Sequence, residues 1–127
     1  LLRQGELEQI TEDHSLLNDL LRSGELDIDD AKDFAYKNVL TMAMGTKSRV
    51  KPSVTTAQVK PGDLFMMCTD GLSDYVTHLD LEAVMNVKQD LEEMATTLVQ
   101  LAKDAGGFDN ITIVLVRVND DTTTDLS

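Results

Sequence analysis

Two carboxylates stand out for where they sit. Asp70 follows the apolar run Leu64–Cys68 and precedes Gly71, whereas Asp109 follows Gly106-Gly107 and opens the apolar run Ile111–Val118. A carboxylate at a strand end, beside a glycine that lets backbone and ligand come close, can hold a hard cation. Asn110 can orient the second loop through its side-chain hydrogen bonds. If the two runs are neighbouring strands, both carboxylates can share one metal site. Taken singly, either residue serves equally well as a turn or cap residue. It is the pair that suggests chemistry.

The elements that must position this pair can be read from the pattern. Leu1–Arg3 and Leu7–Ile10 form a hairpin around Gln4-Gly5. A helix spans Ser15–Ser23, with Leu16, Leu17, Leu20 and Leu21 on one face and Gly24 as its stop. Asp27 caps a second short helix, Ile28–Ala35. The stretch Tyr36–Pro52 lacks periodicity and carries Lys37, Lys47, Arg49 and Lys51, so it reads as a surface excursion. A strand is expected at Ser53–Val59, and Pro61-Gly62-Asp63 turns the chain into the strand Leu64–Thr69. Helices follow at His78–Val87 and Leu91–Ala105. The latter has a capping-box-like Asp90/Glu93 pair and apolar positions Leu91, Met94, Ala95, Leu98, Ala102 and Ala105, and it ends at Gly106. The last strand is Ile111–Val118, and Asn119–Ser127 is a polar, frayed tail. In that last strand both alternating sets are apolar, Ile111, Ile113, Leu115 and Val114, Val116, Val118, so both of its faces expect cover. Helices on one side and a second sheet on the other provide it. The fold class is therefore α+β, part of an α/β/β/α sandwich.

Composition narrows the partners. The chain has 127 residues, 42% of them hydrophobic and 4% aromatic, with a formal charge of −12 from 23 acidic and 11 basic residues. That is one domain's worth of chain, with a core that leans on aliphatic residues and methionine. An acidic surface repels nucleic acid and anionic membranes and suits cations or basic partners. The apolar runs are too short to span a bilayer as helices, and no stretch reads as a signal peptide. With Cys68 as the single cysteine, no internal disulfide forms and a reducing, cytoplasmic setting is expected. Cys68 lies in LFMMC and reads as a small buried hydrophobe.

In this order, CTDGLSDYV and GGFDNITIVLV resemble the two C-terminal signature motifs of the type-2C metal-dependent serine/threonine protein phosphatases, in their bacterial branch. GELEQITEDHS, KNVLTMAMG and PGDLFMMCTDG resemble flanking segments of the same family. The resemblance runs from about Leu1 to Val118. It implies the C-terminal part of an α/β/β/α sandwich with antiparallel sheets, a flap at about 36–52 and a tail at 119–127. It further implies two Mn²⁺ or Mg²⁺ ions, or three, in a channel between the sheets, with Asp70 and Asp109 binding the same ion and Asp74 contributing to a weaker third. A phosphate monoester is already anionic, so its hydrolysis gains from cations that neutralise it and activate a bridging water. Hard oxygen ligands suit Mg²⁺ and Mn²⁺. His14 reads as a structural residue and His78 as a helix-start surface residue. Phosphoprotein substrates and a cognate serine/threonine kinase are the implied partners.

The pattern also departs from the family. The DGxGG-type motif of the family's first half is absent, and with it the bridging carboxylate and the phosphate-binding arginine. The stretch FAYKNVLTMAMG lacks the usual HP pair and has Met42 at the usual arginine position. Regulators of sigma-factor pathways share the fold, but GGFDNIT and TEDHS fit the general phosphatases better. The leading expectation is an enzyme fragment, inactive alone, that self-associates or pairs with a missing N-terminal half. The alternatives are a non-catalytic phosphatase-like binding module and an unrelated acidic cation-binding domain. A DGxGG motif upstream would favour the first.

Overall fold

The computed structural model describes residues 1–36 and 39–120. Lys37 and the tail beyond Asp120, both assigned roles above, lie outside them. The chain divides into two compact units. One comprises Leu1–Gln9 with Ala57–Ser127, and the other Ile10–Thr56.

The first unit is built on a four-stranded antiparallel sheet in the order β2-β1-β3-β4. Its strands are β1 (Leu2–Arg3), β2 (Glu6–Leu7), β3 (Leu64–Cys68) and β4 (Ile113–Arg117). Gln4 and Gly5, at φ of 52° and 86°, make the tight turn between β1 and β2, where a left-handed backbone favours glycine. β3 and β4 pair along their full length, from Leu64 opposite Arg117 to Cys68 opposite Ile113. A short helix α2 (Asp70–Ser73) leaves β3, and α3 (His78–Met85) and α4 (Leu91–Asp104) follow.

Both longer helices start on side-chain caps. Thr77 Oγ1 accepts the Asp80 N–H at 3.1 Å and donates to the Asp80 carboxylate at 2.7 Å. Asp90 Oδ1 accepts the Glu93 N–H at 2.8 Å. These bonds satisfy N–H groups that a helix start leaves without partners. Met94, Leu98 and Ala102 lie one helical turn apart and are fully buried on α4. They pack with Leu2, Leu64, Leu72, Val76, Leu81 and Met85 into one core, and Met66, Ile111, Ile113 and Leu115 close against it.

One face of the sheet is therefore covered by helices. The other carries Met67, Val114 and Val116, with exposures of 55%, 48% and 44%, beside the half-buried Phe65. The register pairs Phe65 with Val116 and Met67 with Val114 on that face. This is the second apolar face expected from the sequence, and no second sheet covers it among the described residues.

At the foot of β3, Asp63 is 1% exposed and takes a two-pronged ion pair from Arg3, Nε to Oδ1 at 2.8 Å and Nη2 to Oδ2 at 2.7 Å. The Lys60 N–H adds a bond to Oδ2 at 2.8 Å. Chiefly through the Arg3 hydrogen bonds, the Asp63 carboxyl is held down to about 2. The same guanidinium donates to the Gln58 carbonyl at 2.8 Å.

Two sequence expectations fail in this unit. Ser53–Val59, which straddles the two units, forms no strand. The Gln58 carbonyl and the Lys60 N–H are satisfied by side chains instead of a ladder, and Val54 and Val59 are 82% and 61% exposed. Cys68 is exposed, not buried, because it is the last residue of β3 and burial falls along that strand away from Leu64.

The second unit holds α1 (Leu16–Ser23) and a 3₁₀ turn at Asp30–Asp33 where a short α-helix was expected. Ser15 Oγ caps α1 by accepting the Asn18 N–H at 3.2 Å, and Gly24 at φ 76° ends it. An isolated bridge joins Ser15 to Leu40, with Leu16 N donating to Val39 O at 2.8 Å and Thr41 N to His14 O at 3.0 Å. Beyond Leu40 the segment to Thr56 has turns only, and Lys47, Arg49 and Lys51 are exposed.

Candidate functional site: a carboxylate pair at one end of the β3–β4 ladder

The antiparallel pairing of β3 and β4 puts the C-terminal end of one beside the N-terminal end of the other. The residues that extend the ladder bring two loops together. Thr69 N donates to Thr112 O at 3.1 Å. Thr69 Oγ1 donates to Asn110 O and accepts from Thr112 N, both at 3.1 Å. One hydroxyl thus stitches the start of the Asp70 turn to the Asp109-Asn110 loop.

Gly71 makes the approach closer still. It is buried, and a Cβ built there would stand 2.1 Å from Asn110 O, 2.9 Å from Asn110 C and 3.5 Å from Asp109 C. No side chain fits between these backbones, so the position favours glycine. Asp70 opens α2 and Asp109 precedes β4, so each rests on a strand of the sheet. Asp109 Oδ1 accepts its neighbour's N–H, that of Asn110, at 2.7 Å, which fixes its loop.

Asp70 and Asp109 are both exposed, and among the described residues neither enters an ion pair. Two anionic oxygen donors on touching loops, with no basic side chain bridging them, suit a hard divalent cation. Asp74 lies one turn on from Asp70, its N–H bonded to Asp70 O at 2.9 Å. Among the described residues no three His, Cys, Asp or Glu side chains gather as a metal set. His78 is exposed at the start of α3, and the His14 carbonyl accepts from Thr41 N.

Sequence reasoning missed Thr69. Its only signal was a hydroxyl residue directly before the aspartate. It also missed the aromatic contact between Tyr75 and Phe108, each adjacent in sequence to one of the carboxylates Asp74 and Asp109.

A family model described as Stage II sporulation protein E matches residues 28–119. Protein phosphatase PhpP of Streptococcus pneumoniae is 35% identical over 121 residues, covering 95% of this chain and 49% of PhpP. The solved serine/threonine phosphatase of S. agalactiae superposes with a TM-score of 0.85 at 34% identity, over 92% of this chain and 48% of that one. The catalytic domain of the phosphatase PstP, solved in complex with 2 manganese ions, gives 0.76 at 34% identity, over 94% and 48%. The chain spans about half the length of these relatives. The motif order, the antiparallel sheet and these likenesses agree: the chain belongs to the type-2C phosphatase family that the Stage II sporulation protein E model represents.

Proposed function

We propose that this chain supplies Asp70 and Asp109 to the metal centre of a protein phosphatase that, as a whole, hydrolyses phosphoserine and phosphothreonine. The observation that carries this reading is the junction of the two loops at Gly71 and Asn110. When bound, divalent ions such as Mn²⁺ or Mg²⁺ neutralise the phosphate and lower the pKa of a coordinated water. The role of Asp70 and Asp109 is to hold one such ion from two strand ends. Asp74 serves a third, weaker ion.

The bridging carboxylate and the phosphate-binding group come from elsewhere in the protein, so this chain alone is inactive. The apolar face bearing Phe65, Met67, Val114 and Val116 is where the missing N-terminal half docks. Covering its half-exposed side chains is worth about 3–5 kcal/mol in all. In isolation that face drives self-association instead. The segment 36–52 acts as a flap, and the protein works in the cytoplasm opposite a serine/threonine kinase.

The test is Asp70→Asn and Asp109→Asn in the intact protein, assayed on a phosphopeptide with Mn²⁺. Each variant should fold and lose activity by about a hundredfold or more. Near-normal turnover by both would sink the reading.

A further inference from the structure

Thr69 stands at the N-cap of α2, with φ and ψ of −81° and 163°. A threonine at that position ordinarily turns its hydroxyl onto an N–H of its own helix. Thr77 does so at the start of α3, where it accepts the Asp80 N–H at 3.1 Å. Among the described residues the Thr69 hydroxyl makes no such cap bond. It reaches the other strand instead, to partners 41 and 43 positions on, Asn110 O and Thr112 N.

The backbone gives the reason. The register that pairs Cys68 with Ile113 puts Thr69 opposite Thr112. In an antiparallel ladder the residues of a hydrogen-bonded pair exchange both of their N–H to carbonyl bonds. Thr69 N donates to Thr112 O at 3.1 Å, as such a rung requires. The Thr69 carbonyl does not return the bond, because it accepts the Leu72 N–H at 3.1 Å where α2 begins. Thr69 Oγ1 takes the place of that carbonyl and accepts the Thr112 N–H. One side chain thus lets β3 end in a completed rung while the helix that Asp70 opens starts at once. The same hydroxyl gives its proton to Asn110 O. Asn110 is then held on both sides, its carbonyl by Thr69 and its N–H by Asp109 Oδ1 at 2.7 Å.

We propose that Thr69 is a positioning residue for the metal site, whose hydroxyl holds the Asp109 loop against the Asp70 turn and so sets the affinity for the divalent cation they share. This rests on the reading of Asp70 and Asp109 as ligands of one ion. Ligands drawn from two loops bind a cation tightly when hydrogen bonds behind them keep the loops in place before it arrives. Thr69 adjoins Asp70 and Asn110 adjoins Asp109, so each carboxylate is one residue from an end of the hydroxyl bridge. Without the hydroxyl, Thr112 N and Asn110 O each lose this partner, and the Asp109 loop gains freedom to drift from the turn. Serine keeps both bonds, whereas valine keeps the shape and neither bond.

The experiment measures Mn²⁺ binding to the intact protein by calorimetry, without substrate, for Thr69→Val, Thr69→Ala and Thr69→Ser. Thr77→Val is the control, because it removes a hydroxyl that likewise donates one bond and accepts another, but at a helix cap. The binding step that Asp70→Asn weakens should weaken by about tenfold or more in Thr69→Val and Thr69→Ala. Thr69→Ser and Thr77→Val should both stay within about threefold of the unaltered protein, although Thr77→Val lowers the urea midpoint. Amide exchange at Thr112 should quicken several-fold in Thr69→Val with no metal present. Unaltered Mn²⁺ binding by folded Thr69→Val, unchanged exchange at Thr112, or equal weakening in Thr69→Val and in Thr69→Ser or Thr77→Val overturns the role of the hydroxyl and leaves the two ligands standing. If neither the valine nor the alanine variant folds, the hydroxyl serves folding, and the positioning role is likewise overturned. Mn²⁺ binding that neither Asp70→Asn nor Asp109→Asn alters overturns both the role of Thr69 and the reading beneath it.

Discussion

Gly71→Ala opposes two effects of known sign. Gly71 lies within α2, and its φ is outside the left-handed range. By helix propensity alone, alanine there should stabilise the protein by about 0.5–1 kcal/mol. The neighbouring loop argues the other way. The added Cβ would meet Asn110 O at 2.1 Å. Carbon–oxygen contacts settle near 3.3–3.6 Å, so the Asn110 backbone must retreat by about 1 Å. Overpacking of this kind costs about 1–3 kcal/mol. The retreat also strains the 3.1 Å bond from Thr69 Oγ1 to Asn110 O, whose loss costs about 0.5–1.5 kcal/mol. The clash exceeds the propensity gain, and the net destabilisation is about 1–3 kcal/mol. Urea unfolding followed by circular dichroism should show the midpoint falling by roughly 1 M at a slope of about 1–3 kcal/mol per M. Mn²⁺ affinity should fall with it, because Asp109 moves with Asn110. An unchanged or raised midpoint would refute the claim that these backbones are in contact.

Three further outcomes are expected. Leu98→Ala, at a position with no exposure, should cost about 2–5 kcal/mol in urea unfolding; an unchanged midpoint would contradict its place in the core. Asp63 is held at about 2 against an ordinary 3.8, so its stabilising share is complete above about pH 4 and is lost as pH falls toward 2; Asp63→Asn should remove that part of the acid sensitivity, and an identical pH profile would tell against the Arg3 pair. The chain by itself should bind Mn²⁺ weakly, since it brings two carboxylates to the site; calorimetry showing tight two-site binding would contradict this.

The elements that carry the candidate site were legible because they depend on local order along the chain. Asp70 and Asp109 each follow a recognisable signal, an apolar run in one case and paired glycines in the other, and β3 and β4 read as strands from composition alone. The buried face of α4 was equally plain from the spacing of Met94, Leu98 and Ala102. What escaped depends on residues far apart. Asp63 looked like one more turn aspartate after Pro-Gly, and nothing local announces that Arg3, 60 positions away, will bury it. Ser53–Val59 has the composition of a strand, yet a strand exists only where a neighbour pairs with it, and a side chain from β1 claims the Gln58 carbonyl instead. Cys68 was misplaced because an apolar run does not reveal which of its ends leaves the core.

The first unit is made from two stretches of chain, with Ile10–Thr56 carried between them. Pairing Leu2 with Leu64 therefore closes a loop of roughly sixty residues, whereas the β3–β4 ladder, α3 and α4 are assembled from about fifty consecutive ones. Loop closure is a logarithmic cost, so doubling the intervening stretch adds only about 0.6 kcal/mol. Its kinetic effect is larger, because non-local pairings form late and slowly. The hairpin β1–β2 should thus be the last piece to seat, and Arg3, arriving with it, is the latch that holds it there. The intervening 10–56 stretch is correspondingly free to vary in length with little penalty to the sheet that carries Asp70 and Asp109.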